Sequence, residues 1–97
     1  MSNTIKTLCI GDIVGPTGCK VAGKYIQRLE DKYKANVVII NGENSAHKGR
    51  GITGKIADEL FSYGANVITT GNHIWAEKDI ISYIQNRFIR LILIPFQ

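Results

Sequence analysis

The chain has little of what marks a secreted, membrane-bound or metal-thiolate protein. Its 97 residues contain two cysteines, Cys9 and Cys19, which do not form a metal-type pair. Cys9 falls in an apolar run and reads as a small buried hydrophobe, and Cys19 falls near a helix start. Two reduced thiols, not a disulfide, are expected. The apolar run at 92–96 is far shorter than the roughly 20 residues a spanning helix needs. The opening Met-Ser-Asn-Thr-Ile-Lys has no apolar core of the kind a signal peptide carries. The sequence therefore predicts a cytoplasmic protein with no membrane partner. The charge excess is small, with 12 Lys and Arg against 8 Asp and Glu, net +4. It suits a phosphate-bearing partner. The basic residues are scattered and carry no interleaved aromatics, which argues against sequence-specific DNA binding. No internal repeat, low-complexity tract or interdomain linker is found, and the length allows one domain at most.

What is present is a regular alternation of short apolar runs and amphipathic stretches. Strands are predicted at about 5–10, 37–41 and 66–70, with a candidate fourth at 89–94. Helices are predicted at 16–34, from Thr53 as N-cap to about 63, and from 75 or 76 to 85. In the first helix Ala22, Ile26, Leu29 and Tyr33 make one face, and Pro16 suits its first turn. Ile56, Ala57, Leu60 and Phe61 make the stripe of the second, which Gly64 can end. Ile80, Ile81 and Ile84 point inward in the third. Val37-Val38-Ile39-Ile40 is β-branched throughout, as expected of a strand covered on both faces. The fold class is thus α/β, a βαβαβα unit on a parallel sheet with right-handed crossovers, whose strand order the pattern leaves open.

Three polar clusters end these apolar runs: Gly11-Asp12, Gly42-Glu43-Asn44 and Gly71-Asn72-His73. In a parallel sheet all three lie at the carboxyl edge, where open α/β sheets bind ligands. Asp12 and Glu43 offer carboxylate oxygens and Asn72 an amide oxygen, donors suited to manganese or ferrous iron. Two such ions can clamp a phosphoryl group and activate water. His73 titrates near neutrality and could protonate a leaving oxygen. Each residue has a plainer reading: Asp12 as a turn residue, Glu43 and Asn44 as loop polar groups, Asn72 as a loop tie, His73 as a solvated or capping side chain. Their recurrence at three strand ends favours a joint site.

Two other signals are discounted. Gly11, Gly15 and Gly18 do not have dinucleotide-fold spacing. Residues 49–55 fit the start of a phosphate loop, but Ile56 stands where a magnesium-binding hydroxyl is needed. Lys48, Arg50 and Lys55 could attract a phosphate or form a solvated face, and His47 is not assigned as a ligand.

Gly11-Asp12-Ile13-Val14-Gly15, Asn41-Gly42-Glu43-Asn44, residues 49–53 and Gly71-Asn72-His73-Ile74-Trp75 together resemble the YmdB-type calcineurin-like metallophosphoesterases. The resemblance covers residues 5–83, and 91–97 reads as a divergent apolar tail. It implies part of a four-layer α/β sandwich, two divalent metal ions (manganese or iron), and hydrolysis of phosphodiesters, including 2′,3′-cyclic nucleotides. By position, Asp12 resembles a ligand of the first metal, Glu43 the bridging carboxylate and Asn72 a ligand of the second. Asn44 matches a residue near the substrate phosphate and His73 the general acid, with in-line attack of activated water on phosphorus. Val14 replaces the His of the wider superfamily, as in the YmdB type.

The family takes three further His ligands from its later half, roles that His47 and His73 do not fit. The chain, residues 1–97, is therefore expected to be an N-terminal portion, through truncation or a frameshift, that is inactive alone. Its uncovered sheet face is expected to favour self-association. The alternatives are a non-catalytic α/β binding domain and a decayed gene product.

Overall fold

The computed structural model describes residues 4–47, 49, 51–71, 77–86 and 91–93. Four strands alternate with three helices: β1 (Thr7–Asp12), α1 (Gly15–Tyr33), β2 (Val37–Asn41), α2 (Gly54–Ser62), β3 (Val67–Thr69), α3 (Asp79–Asn86) and β4 (Leu91–Leu93). The sheet is wholly parallel in the order β1-β2-β3-β4. Part of the segment read as a tail thus forms a sheet strand, with Leu91 opposite Val67 and Leu93 opposite Thr69.

Sequential neighbours joined by right-handed crossovers put every helix on one face. Side-chain burial agrees. Val38, Ile40 and Ile68 are buried under α1 and α2 with Ile26, Ile52, Leu60 and Ile80. Val37, Ile39 and Val67, on the other face, stay half-exposed, and their neighbour Cys9 is exposed. The expected two-sided cover of β2 is therefore met on one side only.

β1 begins two residues later than the apolar run and ends two later. Lys6 is the clamp at its start: its N–H donates to Asn36 Oδ1 (2.9 Å) and its carbonyl accepts from the Asn36 N–H (2.7 Å). At its end the register shifts between Ile10 and Asp12, so Gly11 is the extra residue and Asp12 still pairs with Asn41. Asp12 is consequently part of the strand, not of a loop beyond it.

α1 has no side-chain N-cap; Pro16 opens it and Lys34 ends it at φ 53, in the left-handed region. Ala22 and Ile26 are buried as expected, but Tyr33 is 53 % exposed. Gly23 lets α1 meet α2, since a Cβ there would come within 2.6 Å of the Tyr63 ring. α2 is capped as predicted, the Thr53 hydroxyl accepting from the Ile56 N–H at 3.2 Å, and Gly64 follows it at φ 120. α3 starts at Asp79, later than its pattern suggests, because residues 77 and 78 form a bend and a turn. Asp79 instead accepts from the Gly54 N–H (3.3 Å) at the start of α2, and the Tyr83 hydroxyl donates to Asp58 Oδ1 (3.0 Å). Residues 75 and 76, the predicted helix start, and the side chains of Ile81 and Ile84 lie outside the described residues.

Candidate metal centre at the carboxyl edge

β1 and β2 each end at this edge in an acidic cluster, and the chain holds the two clusters together with main-chain bonds. The Ile13 N–H donates to the Asn41 carbonyl (3.1 Å), and the Gly15 N–H donates to the Asn44 carbonyl (3.0 Å). Gly15 sits at φ 62, a conformation that favours glycine. The two motifs are thereby fastened at both ends, and their side chains meet. The Asn44 amide donates to both carboxylate oxygens of Asp12, each at 3.2 Å.

Glu43 is aimed by its turn. Asn41 Oδ1 accepts from the Glu43 N–H at 3.1 Å, an Asx turn closing over Gly42. Gly42 donates to the Thr69 carbonyl (2.9 Å), tying the turn to β3. The Gly51 N–H donates to the Glu43 carbonyl (2.6 Å). The Ser45 hydroxyl, fully buried, donates to the Gly42 carbonyl (2.7 Å). A Cβ on Gly71 would fall on the Glu43 carboxylate, so the glycine after β3 leaves the space this carboxylate occupies.

Of the expected site residues, Asp12, Glu43 and Asn44 are described: Asp12 and Asn44 are in side-chain contact, and Glu43 lies on the same turn as Asn44. Asn72 and His73 lie outside the described residues, as do Lys48 and Arg50. Among the described residues no group of three His, Cys, Asp or Glu gathers. Asp12 and Asn44 meet side by side, and Glu43 on the neighbouring turn has its carboxylate over Gly71; carboxylate and amide oxygens of this kind are hard donors that suit a divalent cation. Within the stretch that fits the start of a phosphate loop, Gly51, at φ 79, spends its N–H on the Glu43 carbonyl and not on a phosphate cradle.

Sequence reasoning missed Asn41, Ser45 and Gly51 as residues that shape the site, and placed Gly71 at the head of its cluster without the space it leaves for Glu43. The signal for Asn41 was visible, an Asn two places before the acid with Gly between. The others act through bonds or space across the fold and leave no local pattern.

A cleft of about 730 Å³ lies elsewhere, between α1 and α2, lined by Cys19, Lys20, His47, Lys55, Glu59 and Tyr63 among others. None of the acidic-edge residues lines it. Burial, with the Glu59 charge second, pushes the Cys19 thiol up, and its hydrogen donates to the Ser45 carbonyl (3.6 Å). The hydrogen bond to Glu59 is the main reason Tyr63 is raised. Both are proton-holding structural groups here.

The fold and site together define an α/β unit of the metallophosphoesterase fold with an acidic carboxyl edge. A family model described as YmdB-like protein matches residues 8–95, so the chain belongs to the YmdB-like family. The match continues past Tyr83, through β4. The chain is 45% identical over 82 residues to a Bacillus subtilis (strain 168) protein named 2′,3′-cyclic-nucleotide 2′-phosphodiesterase, covering 84% of this chain and 31% of that one. It superposes on the crystal structure of a novel phosphatase from Mycoplasma pneumoniae with a TM-score of 0.86 and 34% identity, over 98% of this chain and 33% of the other. A hypothetical protein from Thermus thermophilus gives a TM-score of 0.79 at 28% identity, over 92% and 33%. The chain spans about a third of the length of these relatives.

Proposed function

We propose that this chain supplies the acidic edge of a metal-dependent phosphodiester hydrolase acting on 2′,3′-cyclic nucleotides. The observation that carries the reading is the contact of Asn44 with Asp12 at the carboxyl edge, with Glu43 adjacent in sequence to Asn44 and Gly71 leaving space for its carboxylate. Family membership and the relative named as a cyclic-nucleotide phosphodiesterase support it. When bound, a pair of divalent ions, manganese or iron, supplies Lewis-acid charge at the phosphoryl oxygens and acidifies water.

In this reading Asp12 would hold the first ion, Asn72 the second, and Glu43 would serve both. Asn44, beside Asp12, orients the substrate phosphate. His73 gives its proton to the departing ribose oxygen. By itself the chain brings Asp12, Glu43 and Asn72, so we expect weak cation binding and little or no turnover. Two unpaired thiols suit a reducing compartment, and the protein is assigned to the cytoplasm. No helix among the described residues is long and apolar enough to cross a membrane.

The test is manganese titration of the purified chain, followed by electron paramagnetic resonance, with Glu43→Gln beside it. Wild type takes up manganese and the variant loses uptake. Equal uptake by both sinks the assignment of Glu43, and appreciable manganese-dependent hydrolysis of a 2′,3′-cyclic nucleotide sinks the expectation of inactivity.

A further inference from the structure

We infer that Asn41 is the positioning residue of the acidic edge: its side-chain oxygen, by accepting from the Glu43 N–H, fixes the turn from which the Glu43 carboxylate is presented. The inference rests on the metal-site reading of Glu43 given above. Asn41 is the last residue of β2, and its backbone is held on both sides, opposite Asp12 and opposite Thr69. Its side chain lies on the sheet face away from the helices, in step with Val37 and Ile39. There it has no part in the buried core.

Instead its Oδ1 turns back to the N–H two residues on, at 3.1 Å. The turn it closes contains Gly42, where a Cβ would come within 2.9 Å of Ile68 and 3.1 Å of Ile52, so the backbone lies flat on the core at that point. Glu43 then has both main-chain polar groups engaged, N–H to Asn41 and carbonyl to Gly51. With its main chain so held, Glu43 starts its side chain from a fixed place, from which the carboxylate reaches over Gly71. Of the two bonds, the one from Gly51 reaches across a loop, whereas the one to Asn41 is local and set by side-chain chemistry. Asn is suited to it: a carboxylate would add a charge beside Asp12, and an apolar side chain would give the Glu43 N–H no acceptor.

Groups that orient a metal ligand without touching the metal commonly change affinity by about 10–100-fold when removed. Asn41→Leu keeps the size and loses the acceptor. Asn41→Ser keeps a neutral acceptor that can close the same turn. Two readouts are taken on the full 97-residue chain. Amide hydrogen exchange by nuclear magnetic resonance reports the Glu43 N–H directly, without any metal. Manganese affinity reports the carboxylate.

In Asn41→Leu the Glu43 amide should exchange at least about tenfold faster while the amides of Ile39, Ile40 and Ile68 keep their protection, and manganese affinity should fall about tenfold. Asn41→Ser should restore most of both. Unchanged Glu43 exchange in Asn41→Leu overturns the inference. So does wild-type manganese affinity in Asn41→Leu when Glu43→Gln has lost it. If wild type and Glu43→Gln bind manganese alike, the metal-site reading itself fails; the exchange result then still tells whether Asn41 fixes the turn, but its role toward a metal is refuted with that reading.

Discussion

Replacing Gly71 by alanine separates the site from the fold. The Gly71 backbone is outside the left-handed region, so alanine brings no backbone strain. Its Cβ would fall on the Glu43 carboxylate, with Oε1 at 2.8 Å. These atoms are the far end of a side chain with three torsions, and they can swing aside while the turn behind them stays pinned to Asn41, Thr69 and Gly51. An imperfect rotamer costs about 0.5–1.5 kcal/mol. Removing a glycine from the unfolded chain offsets about 0.4–1 kcal/mol of that. Stability should therefore change by less than about 1 kcal/mol. Cation affinity should not be spared, because the carboxylate has left its place; a loss of at least about tenfold, or about 1.4 kcal/mol, is expected.

Gly23→Ala is the control with the opposite signature. Its Cβ meets the Tyr63 ring at 2.6 to 2.9 Å, between two packed helices. Making room there means shifting the Tyr63 ring and its hydroxyl bond to Glu59 (2.8 Å), and overpacking of this kind costs about 1–3 kcal/mol. Cation affinity should be unchanged. Urea unfolding followed by circular dichroism gives the first quantity and manganese titration the second. The reasoning is refuted if Gly71→Ala is as destabilised as Gly23→Ala, or if it binds manganese like wild type under conditions where Glu43→Gln does not.

Three further outcomes are expected. Thr53→Ala removes the acceptor for the Ile56 N–H and should lower stability by about 1 kcal/mol in the same unfolding assay. Because the folded state raises the Cys19 thiol and the Tyr63 hydroxyl, stability should hold through neutral pH and fall as pH rises past about 9, with unfolding series between pH 7 and 10 as the check; a thiol reagent should meanwhile label exposed Cys9 at once and Cys19 only on opening. Ile39→Lys, a charge on the half-exposed sheet face, should reduce self-association in sedimentation velocity while changing stability by about 1 kcal/mol or less.

The elements that could be read from sequence are those whose signals are local. Thr53 caps α2, Gly64 ends it and β2 coincides with its β-branched run. The errors arise where a distant group decides. β1 is displaced because Lys6 is held by Asn36 and because Gly11 bulges to keep Asp12 paired with Asn41. The start of α3 is displaced toward Asp79, which bonds Gly54 of another helix. Tyr33 shares a periodicity with Ile26 but not a burial, since periodicity gives a direction around the helix and not how far the sheet extends beneath it. At the site, Asp12, Glu43 and Asn44 were legible as polar groups at the carboxyl ends of β1 and β2. Their support by Gly15 and Gly51 was not, because a glycine that donates an N–H across the fold looks in sequence like any loop glycine; Gly71 stood out at the head of its cluster, but the space it leaves for Glu43 did not.

The layering also explains why chemistry and stability are separable in this chain. Strand order β1-β2-β3-β4 sends all three helices to one face, so the large buried side chains, Ile26, Ile40, Ile52, Leu60, Ile68 and Ile80, lie on that side or between the helices. The carboxylates are not packed into this core. They are carried beyond it on turns whose rigidity comes from main-chain bonds: Gly42 to Thr69, Gly51 to Glu43, Gly15 to Asn44. Substitutions at the carboxylates leave those bonds and the core intact, whereas substitutions at Gly42 strike Ile68 and Ile52 and disturb both at once. Gly42 is therefore the position at which core and site are coupled, and Asn41 beside it is the position at which the site can be disturbed with the core unchanged.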